Sequence, residues 1–356
     1  MNTDFGTNSA QNVNIWSKLT FREVLKATNF RKYLGKSKRS IIQRVLDLEK
    51  TAGDTMKYDL LMQMVGAGVK GDNRMRDNEE PLVYEQDSLK IDQLRNAHSF
   101  RRMSQQRTLH SLRTDGKENL ADWFSGILNA YMFRYLGGDT TINHAQSGVA
   151  PDSDHYIVSG DVSHTGTIAT DESNLSDNDQ IDLMDLDYAK EKAMTISPPI
   201  RPTIVDGKEY YVANLHTYSI VDLRTSANNS ATVKWPTIQA DANMRGSKNP
   251  IFTGAHGVYN GIIIDESTYT YSPISNVRRN LFLGSQAGVF GIGNAYDKIG
   301  QRKSGSENLM SWYEDTDDYG NEKGIAVGMI FGMKACRFDS KNNGCMVITS
   351  YAAAHG

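Results

Sequence analysis

The chain has 356 residues, enough for two or three compact domains, and its mean hydropathy of −0.51 indicates a polar, soluble protein. No stretch approaches the roughly 20 consecutive apolar residues that span a bilayer, so no membrane partner is expected. The two cysteines are too few for a disulfide framework or a zinc site, which favours a reducing compartment, and the N-terminus lacks the pattern of a secretory signal.

The net charge is only −3, but the charges are unevenly distributed along the chain. Residues 18–50 are strongly basic, whereas residues 138–187 contain recurrent aspartates and no lysine or arginine. This asymmetry fits a protein that contacts copies of itself or a polyanion. It fits equally well two solvated surfaces without a partner.

The first predicted element is an amphipathic helix over residues 17–35. Its apolar side chains recur at helical spacing, and Gly35 fits a C-terminal stop. The segment SIIQRVLDL, which begins at Ser40, is then a candidate for a short strand.

A long β-hairpin is predicted next. Apolar and polar residues alternate from Met56 to Met64, and a second extended segment begins at Pro81. A strand of about 11 residues is roughly 36 Å long. The intervening residues 66–80 are rich in glycine and charge and almost free of large apolar side chains. Such a tip cannot be buried in the hairpin's own core, so we expect it to be solvated or to lie on another subunit.

The hairpin tip contains Gly66-Ala-Gly68-Val-Lys-Gly71, which has the letter pattern G-x-G-x-x-G of dinucleotide-binding turns. That turn requires a helix directly after the glycines, so that the helix N-terminus receives the pyrophosphate. The chain instead continues as DNRMRDNEEP, which has no apolar helical face and ends in proline. We therefore predict no nucleotide cofactor.

The region from Asp92 to Leu136 is predicted to be the most helical part of the chain. Apolar and aromatic residues recur at helical spacing in its second half, and His98 and His110 are expected on the same long helix.

A possible irregularity lies inside this helix. Asp115 and Glu118 form a candidate capping pair, so the helix is expected to kink or restart at Gly116. The part from Lys117 onward would then be about 30 Å long.

Residues 138–187 are predicted to form a long, acidic surface loop, because large apolar residues are few there. From Tyr188 onward, short helix and strand patterns mix and are separated by glycine and asparagine. This pattern indicates one α+β domain rather than a regular βαβ array.

Motifs for metal binding or catalysis are missing or incomplete. The eight histidines form no HExxH and no short ligand pair. DTDDYGNEKG, from Asp315, resembles the start of a calcium loop, but Tyr319 stands at its fifth position and Ala326 at its twelfth, where a bidentate glutamate is needed. An acidic turn is the better interpretation. We predict no metal site, no catalytic residue and no enzyme activity.

Six segments, in this order, carry a resemblance to a known family. They are AGDTMKYDLLMQMVGAGVKGDNRMRDNEEPL, QQRTLHSLRTDGKENLADWFSGILNAYMFRYLGG, YYVANLHTYSIVDLR, NPIFTGAHGVYNGIIIDES, LFLGSQAG and DYGNEKGIAVGMIFGMK. With the order of basic arm, glycine-rich hairpin, long helix and α+β domain, they resemble the coat-protein family typified by the coliphage N-four capsid. That family has the Hong Kong 97-like fold of tailed-phage major capsid proteins. The match runs from Trp16 to Ala354 and is weakest over residues 138–187.

The resemblance implies an α+β capsid fold with six consecutive regions. They are the N-terminal arm with its basic helix (1–50), an E-loop-like hairpin (51–93), the spine helix of a P-domain (94–137), an acidic surface insertion (138–187), an A-domain (188–325) and a C-terminal strand that returns to the P-domain (326–356).

The resemblance also implies a function. The chain would be a major capsid protein that forms the hexamers and pentamers of an icosahedral virion shell around double-stranded DNA, assembled in the host cytoplasm. Its implied partners are further copies of itself, packaged DNA bound by non-specific electrostatics, and portal, scaffold and decoration proteins. One alternative stays open, namely another homo-oligomeric shell protein, such as an encapsulin-like compartment or a minor virion component, that encloses cargo instead of a genome.

Two sets of residues are expected to make these contacts. In the hairpin tip, where glycines permit positive φ and both signs of charge can pair between subunits, they are Gly66, Gly68, Lys70, Gly71, Asp72, Arg74, Arg76, Glu79 and Glu80. In the basic arm, which would face DNA or an acidic patch on a neighbour, they are Lys26, Arg31, Lys32, Lys36, Lys38 and Arg39.

Overall fold

The computed structural model describes residues 28–37, 39–45, 53–61, 66, 68–82, 84–160, 172–205, 207–225, 257–293 and 310–355. Its α-helices are α1 (Arg102–Arg107), α2 (Leu112–Leu136), α3 (Leu183–Thr195) and α4 (Thr217–Thr225). Short 3-10 helices cover Asn29–Tyr33, Ser153–His155, Glu172–Asn174 and Asp318–Gly320. None of the helices in this described part has the length and apolar character needed to cross a membrane.

The strands of the described residues form two large sheets and several small ribbons. In chain order they are β1 (Leu34–Gly35), β2 (Ile42–Val45), β3 (Thr55–Leu61), β4 (Tyr84–Lys90), β5 (Asp92–Arg101), β6 (Asn143–His144), β7 (Gln146–Ser147), β8 (Tyr156–Val158), β9 (Thr203–Val205), β10 (Lys208–Leu215), β11 (Gly257–Tyr259), β12 (Ile262–Glu266), β13 (Val277–Leu283), β14 (Gly288–Ile292), β15 (Met310–Asp317), β16 (Glu322–Ala335), β17 (Arg337–Phe338), β18 (Lys341–Asn342) and β19 (Cys345–Tyr351). The α+β fold class predicted from the sequence is confirmed.

The first sheet is built around β16. The pairings run in the order β1-β2-β14-β16-β15. Strands β14 and β15 pair with successive parts of one edge of β16, and β5 pairs with its other edge. Side chains at alternate positions of β16, among them Ile325, Val327 and Phe331, are buried in the same core as the apolar face of α2. Each such burial stabilises the fold by about 1.5–3 kcal/mol, so this helix–sheet contact is a main source of stability.

Helix α2 is one uninterrupted segment of 25 residues. The predicted restart at Gly116 is therefore wrong, and the helix begins at Leu112, ahead of the proposed Asp115–Glu118 cap. Gly116 is buried against the sheet, and a Cβ added there would lie 3.5 Å from the His98 ring and 3.7 Å from Ile325. Packing on the sheet keeps the helix continuous despite the low helix propensity of glycine.

The prediction of helix from residue 92 onward is also wrong. Residues Asp92–Arg101 form β5, which pairs with β16 over ten residues, from Asp92 opposite Phe331 to Arg101 opposite Glu322. His98 therefore lies on a strand, and His110 lies between α1 and α2. Pairing with a distant strand has overridden local propensity here.

The second sheet has the order β11-β12-β10-β13-β19-β8, with β9 added to β10. Adjacent residues of its strands face opposite sides. Ala213 and Ile348 belong to a core shared with α3 and α4, whereas Val212 and Val347 belong to the core that contains α2. The second sheet is therefore covered on both faces and joins the first sheet through a common core.

Residues 138–187 differ from the expected surface loop. Strand β8 within them is fully buried and pairs with β19, and Asp182 and Asp185 form a capping box that starts α3. The polar composition concealed one short buried strand, which pairs with a strand almost 200 residues later. Residues 161–171 of this region lie outside the described residues.

The chain passes between the two sheets more often than the predicted regions imply. Strands β14 and β15, from the predicted A-domain range 188–325, lie in the first sheet, and β19, from the range 326–356, lies in the second. In the arm, β2 confirms the predicted short strand, but Asn29–Tyr33 is a 3-10 helix and Gly35 lies in β1. Residues 17–27 of the predicted helix lie outside the described residues.

Candidate functional site

The titratable groups with shifted pKa values are scattered through the fold. Burial lowers the pKa of His216 to about 4 and raises those of Asp222 and Cys336 to about 6 and about 12. Of the residues that the structure describes, no group of three or more His, Cys, Asp or Glu side chains is arranged to hold a metal ion. Two surfaces of the described residues are candidate functional sites: the β3–β4 hairpin with its connection, and the arm that contains β1 and β2.

One candidate surface is the hairpin of β3 and β4, which is fixed to the first sheet at its base. The strands pair from Thr55 opposite Lys90 to Leu61 opposite Tyr84. At the base, Met56 and Leu89 lie opposite each other and pack in a small buried cluster with Val289 and Cys336.

A polar contact reinforces this base. The Asp87 side chain is 9% exposed, and its carboxylate is paired with the Lys334 ammonium. It also accepts a hydrogen bond of 2.5 Å from the Tyr58 hydroxyl and one of 3.2 Å from the backbone N–H of Arg337. Sequence reasoning missed this anchor. Its only local signal is an aspartate in the middle of a strand, and the cation lies more than 200 residues away.

Residues 66–80, here called the glycine tip, connect β3 and β4. Gly68 and Gly71 have φ values of +67° and +63°, and a Cβ at either position would meet no atom within 4 Å. These two glycines supply the left-handed backbone that other residues adopt only at a cost. At these two positions the tip therefore needs glycine for its backbone conformation and not for close approach to a neighbouring atom.

The glycine tip has local hydrogen bonds of its own. The Gly66 N–H donates to the Glu80 carboxylate at 2.8 Å, and the Asp77 N–H donates to the Glu79 carboxylate at the same distance. The Asn78 side chain donates to the Arg74 carbonyl at 3.0 Å. These bonds hold the tip in a defined turn, so a partner that binds it has less backbone to order than in a flexible linker.

Both ends of the glycine tip are brought together by these contacts, but most of its predicted contact residues face solvent. Those are Gly66, Gly68, Lys70, Gly71, Asp72, Arg74, Arg76 and Glu79, whereas Glu80 is half-buried. Large apolar side chains are exposed in and beside the tip as well, with Met75 at 60% and Leu82 and Tyr84 each at 57% exposure. An exposed mixture of apolar and charged groups is typical of an interaction surface.

The basic arm is the second candidate. Its residues Arg31, Lys32, Lys36 and Arg39 are exposed, and Lys26 and Lys38 lie outside the described residues. The Lys32 ammonium and the Tyr33 hydroxyl both contact the buried Asp265 carboxylate of β12. The arm is thereby held on the second sheet, and a cleft of about 510 Å³ lies between them.

The structure does not bring the arm's basic residues to one point. Lys32 is engaged with a carboxylate of the same chain, and the Arg39 carbonyl accepts hydrogen bonds from Ser285 at 3.2 Å and Thr203 at 3.4 Å. The exposed guanidinium and ammonium groups of Arg31, Lys36 and Arg39 are left to face solvent or a partner.

Comparison with known proteins gives consistent matches over nearly the whole chain. A family model described as phage capsid protein matches residues 4–354. The major capsid protein of Pseudomonas phage KPP25 is 26% identical over 379 residues, covering 99% of this chain and 98% of that protein. The capsid of Ralstonia phage GP4 matches with a TM-score of 0.75 and 28% identity, covering 92% of each chain. The Cyanophage Pam1 capsid asymmetric unit matches with a TM-score of 0.73, 22% identity and 93% coverage of each chain, which bears on the fold alone.

Proposed function

The chain belongs to the phage capsid protein family, and on that premise we propose that it is the major capsid protein of a tailed phage, whose copies form the hexamers and pentamers of an icosahedral shell around double-stranded DNA. The resemblance predicted from the sequence is confirmed, and the fold is consistent with the Hong Kong 97-like architecture. The alternative of a compartment that encloses cargo is not favoured, because the matches are to capsid proteins of phages.

In this proposal the first sheet with α2 forms the P-domain and the second sheet forms the A-domain. The basic arm contributes β1 and β2 to the first sheet while it contacts the second, so it ties the two together.

The observation that carries the proposal at residue level is the glycine tip. It is preorganised, exposed and mounted on a base that is fixed to the first sheet. Such a projection buries its apolar and charged groups only when another copy covers them. Weak contacts of this kind suffice, because several per subunit act together in a closed lattice.

The exposed cations of the basic arm are the proposed contact with packaged DNA or with an acidic patch on a neighbouring copy. DNA binding there would be non-specific, since phosphate contacts carry no sequence information. We further propose portal, scaffold and decoration proteins as partners, and assembly in the host cytoplasm before the shell becomes part of the virion.

The proposal is tested by replacing residues 66–80 with a short type I′ turn. Because the base of the hairpin is anchored independently, the variant is expected to keep the circular dichroism spectrum and melting temperature of the wild type. It is also expected to stop forming closed particles, as measured by sedimentation and electron microscopy.

A matched control changes exposed charge elsewhere, with Lys208→Ser and Glu209→Ser at the start of β10. This variant is expected to assemble like the wild type. Normal particles from the variant without the glycine tip would show that the hairpin is not the intersubunit contact. Wild-type particles would contradict genome enclosure if, after purification from cells, the particles contained protein cargo but no nuclease-protected DNA.

A further inference from the structure

The segment that follows β19 reaches α4 through a single polar side chain. This segment, residues 352–355, is here called the histidine segment. At its start, the Ala352 N–H donates to the Asn276 carbonyl at 2.7 Å. Within the described part of the chain, its later residues make no backbone hydrogen bond, and Ala354 is exposed. The contact between His355 and α4 therefore fixes the far end of the segment.

That contact joins a buried acid to a base that solvent can reach. The Asp222 side chain is 1% exposed and the His355 side chain is 44% exposed, and His355 Nε2 lies 3.0 Å from Asp222 Oδ1. An exposed imidazole gains and loses its proton as the pH of the solution changes. The environment of a buried carboxylate is thus coupled to the pH outside the fold.

Helix α4 itself offers the carboxylate little compensation. Ser219, one turn before Asp222, is fully buried, and its hydroxyl does not donate to the carboxylate. From the residues that the structure describes, neither carboxylate oxygen receives a hydrogen bond apart from the His355 contact. A buried charge that is neither paired nor hydrogen-bonded is costly, so the ionised form depends on His355.

The other titratable groups around α4 do not replace this partner. His355 favours the ionised carboxylate, whereas Asp177, from the segment before α3, carries a charge of the same sign and disfavours it. His216 lies just before α4 and interacts with the charges of Arg278 and Glu266. The balance at the carboxylate is therefore set by burial and by the protonation of His355.

We propose that His355 and Asp222 form a pH-dependent tether, which holds the histidine segment on α4 while the imidazole carries a proton and releases the segment when that proton is lost. The inference concerns the single subunit and goes beyond the proposed shell function. It stands or falls independently of whether the subunits assemble.

The direction of the switch follows from the two groups. Burial raises the pKa of Asp222 to about 6, so at lower pH the carboxyl group is neutral and its burial costs little. An imidazole ordinarily loses its proton at about pH 6.5. At pH 8 a buried anion therefore lies beside a neutral histidine, and release of the segment admits water to the carboxylate. We expect the segment to be held at pH 6 and released at pH 8.

The test measures the mobility of the histidine segment in the unassembled, full-length subunit. A nitroxide spin label is attached through Ala354→Cys, because the native Cys336 and Cys345 are both buried. Electron paramagnetic resonance then separates immobile from mobile label at each pH. The ratio of mobile to immobile label is expected to rise by up to about tenfold per pH unit above 7, the limit set by the loss of one proton.

Three substitutions in the labelled protein complete the test. His355→Lys keeps a cation at pH 8, so its label is expected to stay immobile at both pH values. His355→Gln carries no charge, so its label is expected to be mobile at both. His110→Gln removes an exposed histidine between α1 and α2 and is expected to respond to pH like the wild type.

Two results would overturn the inference. One is a wild-type label whose mobility is the same at pH 6 and pH 8. The other is a His355→Lys label that becomes mobile at pH 8 as the wild type does, since release would then not depend on the cation at this position.

Discussion

At the scale of single residues, Asp222 is a carboxylate buried in the fold with an unfavourable environment for its charged form. It lies in α4 with its side chain 1% exposed, and His355 Nε2 lies 3.0 Å from its carboxylate. Burial, only partly offset by His355, raises its pKa from 3.8 to about 6. The carboxylate is thus held in a place that favours its protonated form.

This shift predicts a pH-dependent stability. Because the folded state binds the proton more tightly than the unfolded state, the contribution of Asp222 is most favourable below pH 4 and is lost as the pH rises through 6. The full effect is roughly 3 kcal/mol, at 1.36 kcal/mol per pKa unit. Asp222→Asn is therefore expected to raise the free energy of unfolding at pH 8 and to flatten its change between pH 4 and 8, as measured by urea denaturation.

The control for this prediction is Asp72→Asn, at an exposed position of the glycine tip. Its pH profile is expected to match the wild type. An Asp222→Asn variant that is destabilised equally at pH 5 and pH 8 would show that the carboxylate is needed for packing and that its titration does not govern stability.

At the scale of elements, the contact between α2 and the first sheet determines which side chains fit at Gly116. A Cβ at Gly116 would lie 3.5 Å from the His98 ring and 3.7 Å from Ile325, and both distances are ordinary van der Waals contacts. Alanine therefore fits at this position without displacing His98 or Ile325.

Gly116→Ala is accordingly expected to stabilise the subunit by about 0.5–1 kcal/mol, because alanine removes the entropic cost of glycine in a helix interior. Chemical denaturation of the unassembled subunit measures this gain. The contrasting variant is Gly332→Ala in β16, where a Cβ would lie 2.0 Å from the Lys90 carbonyl oxygen and where we expect clear destabilisation. Loss of stability in Gly116→Ala would mean that the helix and the sheet are closer than this packing implies.

The elements that were predictable from sequence are those whose signal is local. The alternation in β3, the glycines of the tip and the aromatic spacing in the second half of α2 all reflect the side chains of one segment. Strand β5 has too few apolar residues to show the alternating pattern of a strand in the sequence. Its structure comes from pairing with β16, which lies more than 200 residues later in the chain. The sequence predicts an acidic turn in the segment from Asp315, but the exposure and positive φ of Tyr319 in that turn depend on the folded hairpin of β15 and β16.

At the scale of the whole molecule, Arg279 connects distant parts of the chain. From β13, its guanidinium forms a buried ion pair with Glu172, at 2.6 Å, and donates to the carbonyls of Gly137 and Gly138 at 2.8 and 2.9 Å. One side chain thus joins the second sheet, the segment before α3 and the C-terminal end of α2.

Arg279→Met is expected to destabilise the fold by about 3–5 kcal/mol, because it leaves the Glu172 carboxylate buried without its cation. The double variant Arg279→Met with Glu172→Gln is expected to lose less than the single variant, since the charge left unpaired has been removed. Thermal unfolding of the three proteins measures the difference. Equal losses in both variants would indicate that packing and the helix-end hydrogen bonds, rather than the ion pair, account for the effect.

The 14 residues of β16 have a mechanical consequence. Over residues 322–329 the strand is hydrogen-bonded along both edges, to β5 on one side and β15 on the other. A tension directed along β16 loads these two ladders in shear, so that many hydrogen bonds must yield together, whereas a pull across the strand would open them one after another. In a shell pressed outward by its contents, a subunit oriented with β16 along the wall would resist stretching most strongly in that direction.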